Sequence, residues 1–226
     1  MDLTKKSGLS TISLAWLIIA IVLIIDQTVK IWVKTHFYLG EDLEIFSWFQ
    51  LRFIENKGMA FGMELGSKLF LTLFRIVVVG ALIYYMSKAV RKDFIPRGYI
   101  ACLALIIAGA AGNIFDCLFY GQIFNDPVPP TVAQFVPFGD GYAPVFFGKV
   151  VDMLYFPLFS FVWPEWIPGI GGCEFSFFEP VFNIADAAIS VGMIVLIIFY
   201  HKYIGTFAEV KEKLCQQTSE KDATDR

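Results

Sequence analysis

Residues 98–119 read GYIACLALIIAGAAGNIFDCLF, a run that carries no charge until Asp116. A helix needs about 20 mostly apolar residues to cross the ~30 Å hydrocarbon core of a bilayer, and this run meets that length. Three more segments behave alike. Residues 7–33 are charge-free from Ser7 to Ile25 and continue past Asp26 and Lys30; residues 67–87 contain Arg75; residues 181–200 are broken only by Asp186. Composition agrees, with 57% hydrophobic residues, 24 of them Phe, against 17% charged, where soluble domains run at about 25% charged. Disorder, collagen and coiled coil are excluded on the same grounds. The net charge is −3 with no basic stripe, so nucleic acid is not an expected partner. The four cysteines (102, 117, 173, 215) lack paired spacing, and His36 and His201 are too far apart to anchor a metal cluster. Lys5 and Lys6 precede an apolar run as in a signal peptide. No small-residue cleavage site follows, and the run leads into Asp26, so a retained helix is expected.

Lysine and arginine set the orientation. Lys5 and Lys6 precede the first span, Lys88, Arg91, Lys92 and Arg97 connect the second to the third, and Lys202, Lys211, Lys213, Lys221 and Arg226 follow the fourth. The other two connections hold only Lys34, Arg52, Lys57 and Lys149. The expected fold is an all-α membrane protein forming a single domain over 1–226. It has four transmembrane helices and cytoplasmic termini, with outer connections at about 34–66 and 121–180. The stretch Glu44–Glu55 (EIFSWFQLRFIE) predicts a small β-rich extracytoplasmic element. The long 121–180 loop, rich in Pro, Gly and Phe with Trp163 and Trp166, is expected to lie at the membrane surface. The polar tail from 215 is expected to fray.

An ionisable residue inside a span costs roughly 2.5–3.5 kcal/mol on insertion scales and is read as functional by default. With this topology Asp26 and Lys30, Asn113 and Asp116, and Asn183 and Asp186 all reach the outer level. Asp26 and Lys30 are i,i+4 neighbours, and each Asn/Asp pair is i,i+3, so each pair shares a helix face. The run Ala108-Gly109-Ala110-Ala111-Gly112 permits close helix packing beside Asn113. A hydrated or purely structural polar cluster is the plainer alternative. Arg75, inside the second span, reads as a counter-ion or a snorkelling side chain.

The residue types narrow the chemistry. No span offers a serine nucleophile with a histidine base, and His-Glu-x-x-His is absent. The nearest Gly-x-Gly-Asp-like match, Phe138-Gly139-Asp140-Gly141, falls in the outer loop. What remains is carboxylates and carboxamides. Two carboxyl groups held close share one proton near neutral pH and titrate as a unit, which is aspartic-protease chemistry. Two non-peptidase alternatives are a small proton-coupled carrier, relaying through Asp26, Asp116 and Asp186, and an inactive membrane scaffold. A carrier would spread its acids through the bilayer, whereas here they crowd one leaflet.

Five motifs in order resemble the lipoprotein signal peptidases (signal peptidase II): Asp26-Gln27-Thr28-Val29-Lys30, Asn56-Lys57-Gly58-Met59-Ala60-Phe61-Gly62, Ala111-Gly112-Asn113-Ile114-Phe115-Asp116, Gly148-Lys149-Val150-Val151-Asp152 and Phe182-Asn183-Ile184-Ala185-Asp186. The resemblance implies an aspartic endopeptidase of the bacterial inner membrane with its site facing the extracytoplasmic side. It implies cleavage of prolipoproteins before a diacylglyceryl-modified cysteine, with no cofactor and no metal. Prolipoproteins and membrane lipids would be its partners, and the chain would act as a monomer. Asp152 and Asp186 would form the catalytic dyad, with Asn183 orienting it. Asn56, Gly58, Asn113 and Asp116 would support substrate and site, and Asp26 with Lys30 would hold the outer end of the first helix. Asp152 gains its role from the resemblance alone.

Two departures stand out. Cys117 occupies the place where the family usually has an arginine, whose rigid paired donors a thiol cannot supply; Arg75 is one candidate to replace it. Asp116 and Asp152 also stand 36 positions apart, more than is usual in the family, with residues 125–144 resembling an insertion. Asp126 and Asp140 lie between, but the Val150-Val151 context selects Asp152.

Overall fold

The computed structural model describes residues 9–56, 65–157, 159–177 and 180–205, with positions 209, 210, 212 and 216. Among the described residues, four helices are long and apolar enough to cross a membrane. Helix α1 (Thr11–His36) starts where the Ser10 side chain accepts a hydrogen bond from the Ser13 amide at 3.1 Å, satisfying one of the unpaired first-turn donors. It runs three residues beyond the expected 33, so His36 ends the helix rather than lying outside it. Helix α2 (Leu65–Ala89) and helix α3 (Arg97–Phe115) follow. Helix α5 (Ile184–Tyr200) is the last, beginning three residues later than expected because Asn183 caps it.

α3 is the central helix. Its spanning window is 61% buried inside the protein, against 17% for each of the other three, and it packs on α5, α1 and α2. Its small residues make this possible. A Cβ on Gly109 would come within 2.2 Å of the Ala185 carbonyl oxygen, so the α3–α5 crossing requires glycine there. At its C-terminal end α3 widens into a π-helical turn, Asp116–Tyr120, followed by the three-residue helix α4 (Gly121–Ile123). One extra residue in the turn brings Asp116, Cys117 and Tyr120 all inside, a distortion often found at functional sites.

The expected β element is present and larger than the all-α reading allowed. Strands β1 (Asp42–Phe46) and β2 (Phe49–Asn56) pair antiparallel, and β2 pairs with β3 (Val150–Tyr155), which comes from the stretch read as a loop. Asp152 therefore sits on a strand, opposite Ile54, with Val151 opposite Glu55 and Val150 opposite Asn56. Side chains alternate along a strand. Phe53, Val151 and Met153 enter a small core with Val33, Phe37, Tyr120, Phe124 and Ala133, which leaves Asp152 and Asn56 to the opposite face. Beyond β3 a ribbon of β4 (Phe159–Val162) and β5 (Glu174–Phe177) leaves the sheet. Its base is closed by backbone hydrogen bonds between Leu154 and Phe182 at 2.7 and 3.1 Å. Phe156 stacks on Phe49 and on Phe182, at 5.0 and 5.6 Å between ring centres.

Candidate active site

The last helix supplies the first half of the site. Asn183 is its N-cap, and the two form a capping box: the Asn183 side-chain oxygen accepts from the Asp186 amide at 2.9 Å, and the Asp186 Oδ2 accepts from the Asn183 amide at 3.4 Å. This fixes a carboxylate at a helix N-terminus, where the helix dipole favours negative charge. The other oxygen, Oδ1, accepts from Asn113 Nδ2 at 2.8 Å.

Asn183 also reaches the sheet. Its Nδ2 donates to Asp152 Oδ1 at 2.7 Å and to Asn113 Oδ1 at 3.2 Å. One buried carboxamide thus touches Asp152 with its donors while its oxygen pins the backbone of Asp186. Asp152 is 5% exposed. Burial, and next the negative charge of Asp186, push its carboxyl up to about 7, opposed by Asn183, Lys30 and Asn56. Asn56 is exposed and Asp186 half-buried.

Below the pair lies a closed ionic cluster. The Lys30 ammonium pairs with Asp26 Oδ2 at 2.9 Å and Asp116 Oδ2 at 2.7 Å and donates a hydrogen bond to Asn113 Oδ1 at 2.9 Å. Lys30, Asp26 and Asp116 are all at most 1% exposed. Asp26 Oδ1 accepts the Ala185 amide at 2.9 Å, tying α1 to the start of α5.

The sequence brought Asp26, Lys30, Asn113, Asp116, Asn183 and Asp186 to one level, and they meet in one network. Asp152, reached through the resemblance, joins it through Asn183. Gly58 lies outside the described residues. Two participants had no role assigned. Gln27 donates to Asp116 Oδ1 at 2.9 Å, and Tyr120 donates to Gln27 at 3.0 Å. Their sequence signal was position alone, Gln27 beside Asp26 and Tyr120 one turn past Asp116. Asp116 thus accepts a hydrogen bond from Gln27 and pairs with the Lys30 charge. Cys117 is buried facing α2 instead, with the Thr72 hydroxyl in hydrogen-bonding reach and the Arg75 charge acting on its thiol. Arg75 has come near the departed position without replacing an arginine on Asp116. Cys102, Cys117 and Cys173 are free thiols. Among the described residues no group of three His, Cys, Asp or Glu side chains is placed to hold a metal ion.

The family model described as Signal peptidase (SPase) II matches residues 18–202. The Lipoprotein signal peptidase of Porphyromonas gingivalis (strain W83) is 50% identical over 203 residues, covering 90% of this chain and 89% of that protein. The Lipoprotein signal peptidase of Amoebophilus asiaticus is 34% identical, covering 77% and 72%. A bacterial membrane enzyme solved by the in meso method at 1.9 Å resolution superposes with a TM-score of 0.55 at 25% identity, covering 81% of this chain and 90% of that one. With a family match over most of its length and a relative sharing half its residues, the chain belongs to the signal peptidase II family.

Proposed function

We propose that Asp152 and Asp186 are the catalytic dyad of this lipoprotein signal peptidase. They would cut prolipoproteins immediately before the lipid-modified cysteine, at the extracytoplasmic side of the bacterial inner membrane. The observation that carries the assignment is Asn183, which holds one aspartate by its amide donors and the other by its oxygen.

The chemistry follows from one shared proton. Asp152, with its carboxyl raised to about 7, holds the proton, and Asp186 at the helix N-terminus carries the charge. Asp186 takes a proton from water as the water oxygen attacks the scissile carbonyl carbon. Asp152 gives its proton to the developing oxyanion, yielding a neutral diol. On collapse Asp186 protonates the leaving amine as the C–N bond breaks, and Asp152 recovers a proton from the diol. Both groups finish as they began. The Lys30 cluster takes no part in proton transfer; it fixes Asn113, and through it Asp186.

The test is cleavage of a synthetic lipidated prolipoprotein peptide by the purified protein beside an unlipidated copy. The lipidated peptide should be cut and the unlipidated one spared. Asp152→Asn and Asp186→Asn should each lower turnover by about 10²–10⁴-fold with the protein still inserted. Near-normal cleavage by either variant removes that residue from the dyad.

A further inference from the structure

Helix α1 carries a second buried cation, one turn beyond Lys30. Asp26, Lys30 and Lys34 lie at i, i+4 and i+8 on one face, and Lys34 is 0% exposed. Its ammonium does not join the Lys30 cluster. It pairs with Glu55 Oε1 on β2, with the rings of Phe53, Phe124 and Tyr142 5.9, 5.2 and 5.2 Å away. The other oxygen of Glu55 takes Lys149 at 2.9 Å, the residue just before β3. Lys149 in turn pairs with Asp126 in the 125–144 segment, and its amide donates to the Tyr142 hydroxyl at 2.7 Å. Two ammoniums and two carboxylates balance in charge.

The placement of Glu55 gives this network its meaning. It stands opposite Val151 and next to Asn56, on the core side of the strands whose other side presents Asn56 and Asp152. A single carboxylate thus clamps α1 on one hand and the start of β3 on the other. The same face of α1 holds the Asp186 half of the site through Lys30 and Asn113, and through Asp26 at the Ala185 amide. α1 is therefore the common post for both aspartates, with Lys30 under one and Lys34 under the other.

We infer that Lys34, acting through Glu55, is a positioning residue that sets the height of the β2–β3 pair on α1, and hence the placing of Asp152 against Asn183 and Asp186. This rests on the reading of Asp152 and Asp186 as the dyad. Asp152 is faced by Asp186 and Asn183 from α5, by Lys30 from α1 and by Asn56 from β2. Lys34 touches none of the reacting groups, so its effect must come through geometry.

The experiment uses the full-length protein in lipid nanodiscs with the lipidated peptide. Lys34→Met, which keeps length and apolar stem, should lower kcat by about 10–10²-fold, the scale of a misplacement of about 1 Å, with KM nearly unchanged. The alkaline limb of its kcat–pH profile should move to lower pH, because an Asp152 drawn away from Asp186 and from burial ionises more easily. Glu55→Gln, isosteric but removing the Lys34 and Lys149 pairs together, should reproduce both effects. Added to Lys34→Met it should cost less than it does alone, since the Lys34 link is already gone and only the Lys149 link remains to be lost. Asp42→Asn, which weakens the exposed Arg52–Asp42 pair on the same sheet and leaves Arg52 over the Tyr155 ring, should leave kcat and the profile unchanged. A normal kcat and unshifted limb in both Lys34→Met and Glu55→Gln, while Asp152→Asn is dead, overturns the inference alone. An active Asp152→Asn overturns the dyad instead.

Discussion

At the residue scale the proton on Asp152 makes a pH prediction with a definite sign. Its carboxyl ionises near 7 in the fold and near 4 in an unfolded chain, because burial and the neighbouring Asp186 disfavour its charge. Between those values the folded protein binds a proton that the unfolded chain has released. Stability from this group is therefore whole below about pH 4 and is lost as pH rises through about 7. Melting temperatures in nanodiscs at pH 5 and pH 8 should fall further for the wild type than for Asp152→Asn; equal falls would deny the raised carboxyl. Turnover should decline on the alkaline side near pH 7, as the pair loses its last proton. Asn183 separates capping from catalysis. Asn183→Ser keeps an acceptor for the Asp186 amide and loses the donors to Asp152. It should keep most of the thermal stability and lose turnover, whereas Asn183→Ala should lose about 1 kcal/mol of stability as well. Most of these residues were legible in sequence because ionisable side chains in a span are costly and helical spacing says which share a face. Asp152 was not, since nothing makes an aspartate in an outer segment unusual.

At the element scale, the helices were readable and the strands only in part. The Glu44–Glu55 run shows local alternation and a turn, so β1 and β2 could be foreseen. Val150–Tyr155 is covered on both faces, which erases the alternation that marks a half-exposed strand, and its partner lies about a hundred residues earlier. The π turn at Asp116–Tyr120 was equally silent, since it depends on what α3 packs against. The glycine run of α3 did speak, and it supports a paired prediction. Gly109→Ala would drive a methyl into the Ala185 carbonyl, one residue from Asp186. It should cost about 1–3 kcal/mol, read as a lower melting temperature, together with reduced kcat. Gly80→Ala in α2, where an added Cβ meets nothing within 4 Å, should leave both intact. Equal behaviour of the two variants would mean that the α3–α5 crossing does not set the site.

At the scale of the whole molecule, the outward faces of the helices carry side chains such as Phe70, Val77, Phe199 and Trp16, exposed by 49–70%. Water would penalise so much apolar area, and lipid accepts it. The orientation in that lipid rests on the lysine and arginine bias, and free cysteines supply a direct measurement. Cys173, on the ribbon beyond β3, is exposed, while Cys102 and Cys117 are buried. With Cys215→Ser removing the tail thiol, a membrane-impermeant maleimide added to spheroplasts should label Cys173. Cys173→Ser with a cysteine introduced by Lys92→Cys, in the basic connection between α2 and α3, should label only after permeabilisation. The opposite pattern would place the dyad in the cytoplasm, where exported lipid-modified precursors do not present their cleavage site. The peptidase reading would then lose its substrate even with every hydrogen bond of the site intact.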